Sequence, residues 1–141
     1  MRVAYVDTSA LGRVLLNEPG KAAVELALDG IDEVASSRLL WIELRRLARR
    51  WEARTAAIGE PQQVLQLAEE MLKPIAAIPM EESLLADAEM VPPASVATLD
   101  AIHLATAVHL ADISSLDVII TYDQRLAEGA REHGLEVLAP A

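Results

Sequence analysis

Short apolar runs alternate with longer segments of helical character along this chain. The clearest runs are VAYV at residues 3–6 and DVIIT at residues 117–121, and shorter candidate strands occupy 33–36, 74–79 and 135–139. Helices are predicted, between breaks such as Gly59-Glu60-Pro61, over about 9–17, 21–29, 37–57, 61–72, 81–90, 98–112 and 123–133. This alternation is typical of one α/β domain over residues 1–141, with a central, mostly parallel sheet of about five strands flanked by helices.

The composition narrows the class of protein. The 141 residues include no cysteine, which excludes disulfides, thiolate metal sites and a cysteine nucleophile. Hydrophobic residues make up 52% of the chain and the mean hydropathy is +0.25, which excludes disorder. No apolar run approaches the roughly 20 residues of a membrane span, and we find no signal peptide. We therefore expect a soluble, cytoplasmic protein without membrane association.

Two aspartates follow the two clearest strands. Asp7 comes directly after residues 3–6, and Asp123 lies two residues after 117–121. The carboxyl ends of parallel strands meet at one edge of a sheet, and ligands bind there. Each aspartate has an alternative role as the N-cap of the helix that follows it.

Glu43 is placed on the inward face of its predicted helix. At 100° per residue, Leu40 and Leu47 fall within about 80° of Glu43, so this carboxylate interrupts an apolar stripe. Burying a carboxylate is costly unless it is paired. The structural alternative is a salt bridge from Glu43 to Arg46 or Arg50.

Asp100 aligns with apolar residues of another predicted helix, including Leu104. It also lies two residues after Thr98, which we predict to be the N-cap of that helix. An acid in the first turn is favoured by the helix dipole, so a purely structural role is the alternative here.

Convergence of these four carboxylates at one end of the sheet would have a chemical consequence. Carboxylates held close together repel one another and need protons or cations. Hard oxygen ligands suit Mg²⁺ or Mn²⁺. The matching chemistry is the metal-assisted attack of water on a phosphodiester.

Four segments, in order, resemble the motif blocks of PIN-domain ribonucleases of the VapC toxin type. They are YVDTSALGRVLLNEPG with Asp7, SSRLLWIELRRLARR with Glu43, TLDAIHLATAVHL with Asp100, and DVIITYDQRLAEGAREHGLEVLAP with Thr121 and Asp123. The resemblance covers nearly the whole chain, although residues 56–95 carry no recognised motif.

The resemblance implies a fold, an activity and partners. It implies a PIN fold with about five parallel strands, and an endoribonuclease that uses Mg²⁺, with Mn²⁺ as a substitute. It also implies a homodimer and a VapB-type antitoxin. The implied catalytic and metal-binding residues are Asp7, Glu43, Asp100 and Asp123. The implied supporting side chains, which contact the acids or metal-bound waters, are Thr8, Ser9 and Thr121.

The charge distribution limits how such a protein can contact RNA. The formal net charge is −10, so a globally basic binding surface is excluded. Arg46 and Arg50 lie within about 60° of Glu43 on the predicted helix, whereas Arg45 and Arg49 point to its far side. We expect Arg46 and Arg50 to contact RNA phosphate, unless they pair with Glu43, and we expect the far-side arginines to be solvated.

Other polar residues are interpreted as structural. The three histidines, His103, His109 and His133, show no metal-ligand spacing with one another. Asp117 begins its strand, so we expect it at the opposite end of the sheet from Asp123.

Helix 37–57 is apolar over more than one packing face, through Leu39, Leu40 and Leu44 among others. Its extra apolar face is either ordinary core or a groove for an antitoxin helix.

Two functional alternatives stay open at this point. One is a non-catalytic PIN-like module that binds protein. The other is a different metal-dependent phosphoryl hydrolase. A haloacid-dehalogenase-like phosphatase is disfavoured, because its second aspartate, two residues after the first, is replaced here by Ser9.

Overall fold

A parallel sheet organises the chain in a computed structural model that describes residues 1–55 and 62–141. The order across the sheet is β3-β2-β1-β4-β5, and each neighbouring pair is parallel. The predicted α/β class and the predicted five-stranded parallel sheet are therefore confirmed. The strands are β1 (Val3–Val6), β2 (Glu33–Ser37), β3 (Ala76–Ile78), β4 (Val118–Ile120) and β5 (Val137–Leu138).

Seven helices connect and cover these strands within the described residues. They are α1 (Thr8–Leu15), α2 (Lys21–Asp29), α3 (Leu39–Thr55), α4 (Gln62–Leu72), α5 (Glu82–Met90), α6 (Thr98–Ile113) and α7 (Gln124–Glu132). The predicted break at Gly59-Glu60-Pro61 and the predicted helix end at 57 lie outside those residues. In residues 1–55 and 62–141, no helix has the length and apolar character needed to cross a bilayer.

The two faces of the sheet bury different sets of side chains. Alternate residues of a strand point to opposite faces. Ala4 and Val6 of β1 accordingly pack with residues of α1, α3 and α4, whereas Tyr5 packs with residues of α6 and α7. Asp7 follows β1 and Asp123 follows β4, so both aspartates lie between these two layers of helices.

Some boundaries differ from those predicted. The strand expected over 74–79 is only Ala76–Ile78, because Pro74 and Pro79 have no backbone N–H to donate to a ladder. The prediction that Thr98 caps α6 was wrong. Ala97 occupies the N-cap position without a side-chain hydrogen bond, and Thr98 is the first helical residue.

The apolar surface of α3 is largely core. Leu39, Leu40 and Leu44 are 6%, 0% and 0% exposed. These three leucines therefore do not line a surface groove, and the large apolar residue that α3 exposes is Ile42, at 51%.

Two aspartates bind backbone at the amino end of the sheet. Asp117 accepts a hydrogen bond from the Val3 N–H at 2.7 Å, and Asp32 accepts one from the Arg2 N–H at 2.7 Å. The predicted position of Asp117, opposite Asp123, is confirmed. Both carboxylates satisfy donors at the start of β1.

Candidate active site at the carboxyl end of the sheet

The pairing of β1 with β4 brings Asp7 and Asp123 to the same edge of the sheet. The two strands are parallel, with Val6 opposite Ile120. Asp7 follows β1 and caps α1, accepting a hydrogen bond from the Ala10 N–H at 3.3 Å. Asp123 caps α7 in the same way, accepting from the Leu126 N–H at 2.8 Å. Capping is thus part of what each aspartate does, in addition to its position at the strand ends.

Asp7 is enclosed by hydroxyl groups. It is 3% exposed, and it accepts hydrogen bonds from Ser9 Oγ at 2.7 Å and from Thr121 Oγ1 at 2.7 Å. Burial raises the pKa of the Asp7 carboxyl, while the hydrogen bonds from Thr121 and Ser9 oppose that rise. A buried carboxylate of this kind is stabilised by either a proton or a nearby cation.

Asp100 faces the Asp123 carboxylate. Burial, followed by the negative charge of Asp123 and a hydrogen bond with it, raises the pKa of Asp100 to about 6. Asp7 adds a smaller repulsion. The structure therefore brings Asp7, Asp100 and Asp123 together.

Glu43 joins this group through neighbouring side chains. Its Oε1 atom accepts hydrogen bonds from Thr8 Oγ1 at 2.9 Å and from His103 Nε2 at 2.6 Å. The alternative of a salt bridge to Arg46 or Arg50 was wrong for the part of the chain that the structure describes, where neither arginine forms an ion pair.

The three hydroxyl residues expected near the acids lie among them. Thr8 donates to Glu43, and Ser9 and Thr121 donate to Asp7. Ser9 Oγ also accepts a hydrogen bond from the Tyr122 N–H at 2.9 Å. These bonds connect β1, α1, α3 and the segment after β4.

His103 is the residue that sequence reasoning missed. We interpreted it as structural because it has no metal-ligand spacing with the other histidines, but it contacts Glu43 directly. A sequence signal was present: His103 lies one helical turn after Asp100, on the same face of its helix. Tyr5 of β1, two residues before Asp7, contacts the other ring nitrogen of His103.

The arginines are distributed differently from the expectation. Arg46 and Arg50 are exposed on α3. Arg45, expected to be solvated, instead forms two hydrogen bonds to Glu69 of α4, at 2.7 and 3.0 Å. This pair raises the pKa of Arg45 and lowers that of Glu69.

A further cation, Arg13, lies beside the acids. Its guanidinium stacks on the Tyr122 ring, 3.7 Å from the ring centroid, and donates to the Pro19 carbonyl at 2.9 Å. The stack lines a cleft of 430 Å³ whose walls also include Asp123, together with Thr8 and Ser9. Arg13 was not among the predicted RNA contacts, because the arginines expected to reach phosphate all lie on the helix that carries Glu43.

The donor chemistry of this site fits a hard divalent cation. All four acids offer carboxylate oxygens, and the repulsion between Asp100 and Asp123 is of the kind that a cation relieves. Within residues 1–55 and 62–141, no three acidic or histidine side chains already form a set able to hold a metal ion. The site therefore suits a divalent cation by its carboxylate oxygens and its negative charge, although the side chains are not already arranged around a metal position.

Comparisons with known proteins agree with the fold. A family model described as PIN domain matches residues 4–132. The chain is 34% identical over 140 residues to ribonuclease VapC47 of Mycobacterium tuberculosis, with 96% of each chain covered.

Two solved structures are similar in fold. A toxin–antitoxin complex from Klebsiella pneumoniae has a TM-score of 0.69 at 21% identity, over 98% of each chain. VapC20 of Mycobacterium tuberculosis, a toxin that cleaves the sarcin-ricin loop, has a TM-score of 0.67 at 12% identity, over 89% of this chain and 93% of that one. The chain belongs to the PIN domain family, in its group of VapC ribonucleases.

Proposed function

We propose that this chain is a Mg²⁺-dependent endoribonuclease that acts as the toxin of a VapBC-type pair. The observation that carries this proposal is the meeting of Asp7, Asp100 and Asp123 at the carboxyl ends of β1 and β4, with Asp100 and Asp123 in mutual repulsion. Carboxyl groups with a pKa shifted by burial and by a neighbouring charge cluster at functional sites. The relationship to VapC ribonucleases supports RNA as the substrate.

The four acids share one task in this proposal, and hydroxyl side chains hold two of them in place. Asp100, Asp123 and Glu43 are half-buried, and they would hold Mg²⁺ or its substitute Mn²⁺ together with the buried Asp7. Bound Mg²⁺ supplies Lewis-acid charge to the scissile phosphodiester and to the attacking water. Ser9 and Thr121 keep Asp7 in a fixed orientation, and Thr8 does the same for Glu43. Fixed carboxylates reduce the reorganisation that the reaction requires.

RNA binding depends on local cations in this proposal, because the net charge of −10 repels a polyanion. Arg46 and Arg50 are exposed on the helix that carries Glu43, and they are our candidates for phosphate contacts.

A cleavage assay tests the metal and site assignments together. Purified wild-type protein should cleave RNA with Mg²⁺ or Mn²⁺ and should lose activity with a chelator. Asp123→Asn should abolish cleavage, whereas the matched control Asp112→Asn, at an exposed position on α6, should leave it unchanged. Wild-type cleavage that persists in chelator, or an active Asp123→Asn variant, would contradict the proposal. Tight metal binding without any cleavage would instead favour a protein-binding module.

A VapB-type antitoxin is the proposed partner. The similar Klebsiella pneumoniae structure is described as a toxin–antitoxin complex. The described part of the chain also exposes apolar side chains that a partner would cover, including Leu26 at 74% and Ile42 at 51%. Coexpression with the neighbouring small gene, if it encodes such a protein, should yield a complex without ribonuclease activity. The proposed location of both proteins is the cytoplasm.

A homodimer is the proposed assembly. A cavity of 540 Å³ is lined by residues of α5 and α6, among them Leu85 and Ile102, and the same two helices carry Met90 and Leu99, which are 82% and 51% exposed. Light scattering should give about twice the chain mass of 15.2 kDa, and Leu99→Glu should shift it toward the single-chain value. A wild-type monomer would contradict this proposal.

A further inference from the structure

A buried chain of three polar side chains runs from the middle of the sheet to the candidate active site. Tyr5 Oη lies 2.7 Å from His103 Nδ1, and His103 Nε2 lies 2.6 Å from Glu43 Oε1. Tyr5 is 0% and His103 is 1% exposed. Because His103 is enclosed, it cannot itself touch an RNA substrate, so any role it has is exerted through Glu43.

The direction of these hydrogen bonds follows from their partners. The Ser37 N–H donates to Tyr5 Oη at 3.1 Å, so the phenol oxygen is already an acceptor. A phenol carries its single proton at neutral pH. That proton is then available to His103 Nδ1, and Nδ1 becomes an acceptor. The remaining ring proton is on Nε2, which donates to Glu43 Oε1.

We propose that His103 is a positioning residue for Glu43, with its tautomer fixed by Tyr5. This role rests on the proposed function, because it matters only if Glu43 serves the metal site. Thr8 and His103 both donate to Oε1, so Oε2 has no hydrogen bond among the residues that the structure describes and is free to bind a cation. The near-perpendicular rings of Tyr5 and His103, at 79°, keep the imidazole plane in place.

Polar partners behind metal ligands have measurable effects in other proteins. They orient the ligand and fix the histidine tautomer, and their loss typically costs roughly 10–100-fold in metal affinity or activity. We expect an effect of that size here, since Glu43 otherwise keeps only the hydroxyl of Thr8.

The first test reads the tautomer without any metal or RNA. Long-range proton–nitrogen NMR spectra of the metal-free protein distinguish protonated from unprotonated ring nitrogens. The chain has three histidines, so comparison with the His103→Gln spectrum identifies the signals of His103. We expect a proton on Nε2 and none on Nδ1. A proton on Nδ1, alone or with one on Nε2, would overturn the assignment.

The second test measures Mn²⁺ binding by calorimetry in the absence of RNA. His103→Leu should weaken binding by roughly 10–100-fold. His103→Gln should recover most of the affinity, because its amide N–H can donate to Glu43. The matched control is His109→Gln, at an exposed position on the same helix, and it should bind as the wild type does. Wild-type affinity in His103→Leu would overturn the proposal.

A milder variant covers the case in which His103→Leu fails to fold. Tyr5→Phe removes the donor to Nδ1 and leaves the imidazole in place. We expect its His103 signals to show a mixture of tautomers and its Mn²⁺ affinity to fall several-fold. Unchanged signals and affinity in Tyr5→Phe would overturn the role of Tyr5.

The outcomes separate this inference from the proposed function. A wild-type protein that neither binds Mn²⁺ nor cleaves RNA would overturn the proposed function, and the role of His103 with it. A wild-type protein that does both, beside a His103→Leu variant that behaves identically, would overturn only the role of His103.

Discussion

The two ends of the sheet use the same residue type in opposite ways. At the amino end, Asp32 and Asp117 are exposed, and each accepts a hydrogen bond from a backbone N–H at the start of β1. At the carboxyl end, Asp7 is buried, and Asp100 and Asp123 repel each other. An aspartate that satisfies a single backbone donor in water costs little. Grouped and partly buried aspartates carry an electrostatic cost that folding alone does not explain.

Replacing one aspartate by asparagine at each end of the sheet should give the largest difference in RNA cleavage. Asp7→Asn removes a charge from the cluster and keeps a side chain that caps α1 well. We expect Mg²⁺-dependent RNA cleavage to fall by roughly 10³-fold or more, as the loss of several kcal/mol of transition-state stabilisation would produce. Asp117→Asn should cleave as the wild type does. Comparable activity in Asp7→Asn and Asp117→Asn would remove the functional distinction between the two ends.

The pH dependence of stability should differ between wild type and Asp100→Asn. The pKa of Asp100 is about 6 in the folded, metal-free protein, above the ordinary value of 3.8. The folded state therefore favours the protonated carboxyl, and the stabilisation is complete below pH 3.8 and lost as the pH rises to about 6.

In chelator, the wild type should lose about 1–2 kcal/mol of unfolding free energy relative to Asp100→Asn across that window, allowing for solvent screening. Denaturant unfolding of both proteins at several pH values measures this difference. A wild type that gains stability relative to Asp100→Asn as the pH rises would contradict the sign of the repulsion.

At the amino end of the sheet, loss of an aspartate should lower the stability of the fold and leave RNA cleavage unchanged. Asp117→Ala leaves the Val3 N–H without its acceptor, which should cost about 1 kcal/mol and lower the Tm by roughly 3–5 °C. Cleavage per folded molecule should not change. Asp112→Ala, at an exposed position, is the control for the loss of one negative charge. A fall in specific activity with unchanged Tm would reverse our interpretation of Asp117.

The smallest expected effect concerns the cations on α3. In the inactive Asp7→Asn background, Arg50→Ala should weaken RNA binding a few-fold and reduce the log–log salt slope by roughly 0.7, the value for one phosphate contact on a single strand. Arg49→Ala is the matched control, since Arg45 is paired with Glu69. An unchanged slope in Arg50→Ala would show that this arginine makes no phosphate contact.

The residues that sequence periodicity placed well are those whose position depends on one element alone. Asp7 directly follows one apolar strand and Asp123 comes shortly after another, so their common edge follows from the parallel sheet. The inward phase of Glu43 likewise needs only the geometry of α3. Each of these expectations required one strand or one helix, and no knowledge of how elements pack.

The features that were missed depend on contacts between elements. The contact between His103 and Glu43 joins α6 to α3, two helices that cover opposite faces of the sheet, and Arg45 reaches Glu69 only because α4 packs on α3. The periodicity of a helix predicts which way each side chain points, but it does not predict which other helix or strand packs there. A polar residue on an inward face, such as His103, is the sequence feature that should prompt a search for a partner.

The strand order also bears on when this protein becomes active during its synthesis. β1 lies between β2, which follows it within about thirty residues, and β4, which begins at Val118. A ribosome releases the amino-terminal side of the chain first. A nascent chain can therefore pair β1 with β2 while it contains Asp7 and Glu43 but not yet Thr121 or Asp123. The complete acid cluster, and with it the proposed nuclease, exists only in chains translated beyond residue 123.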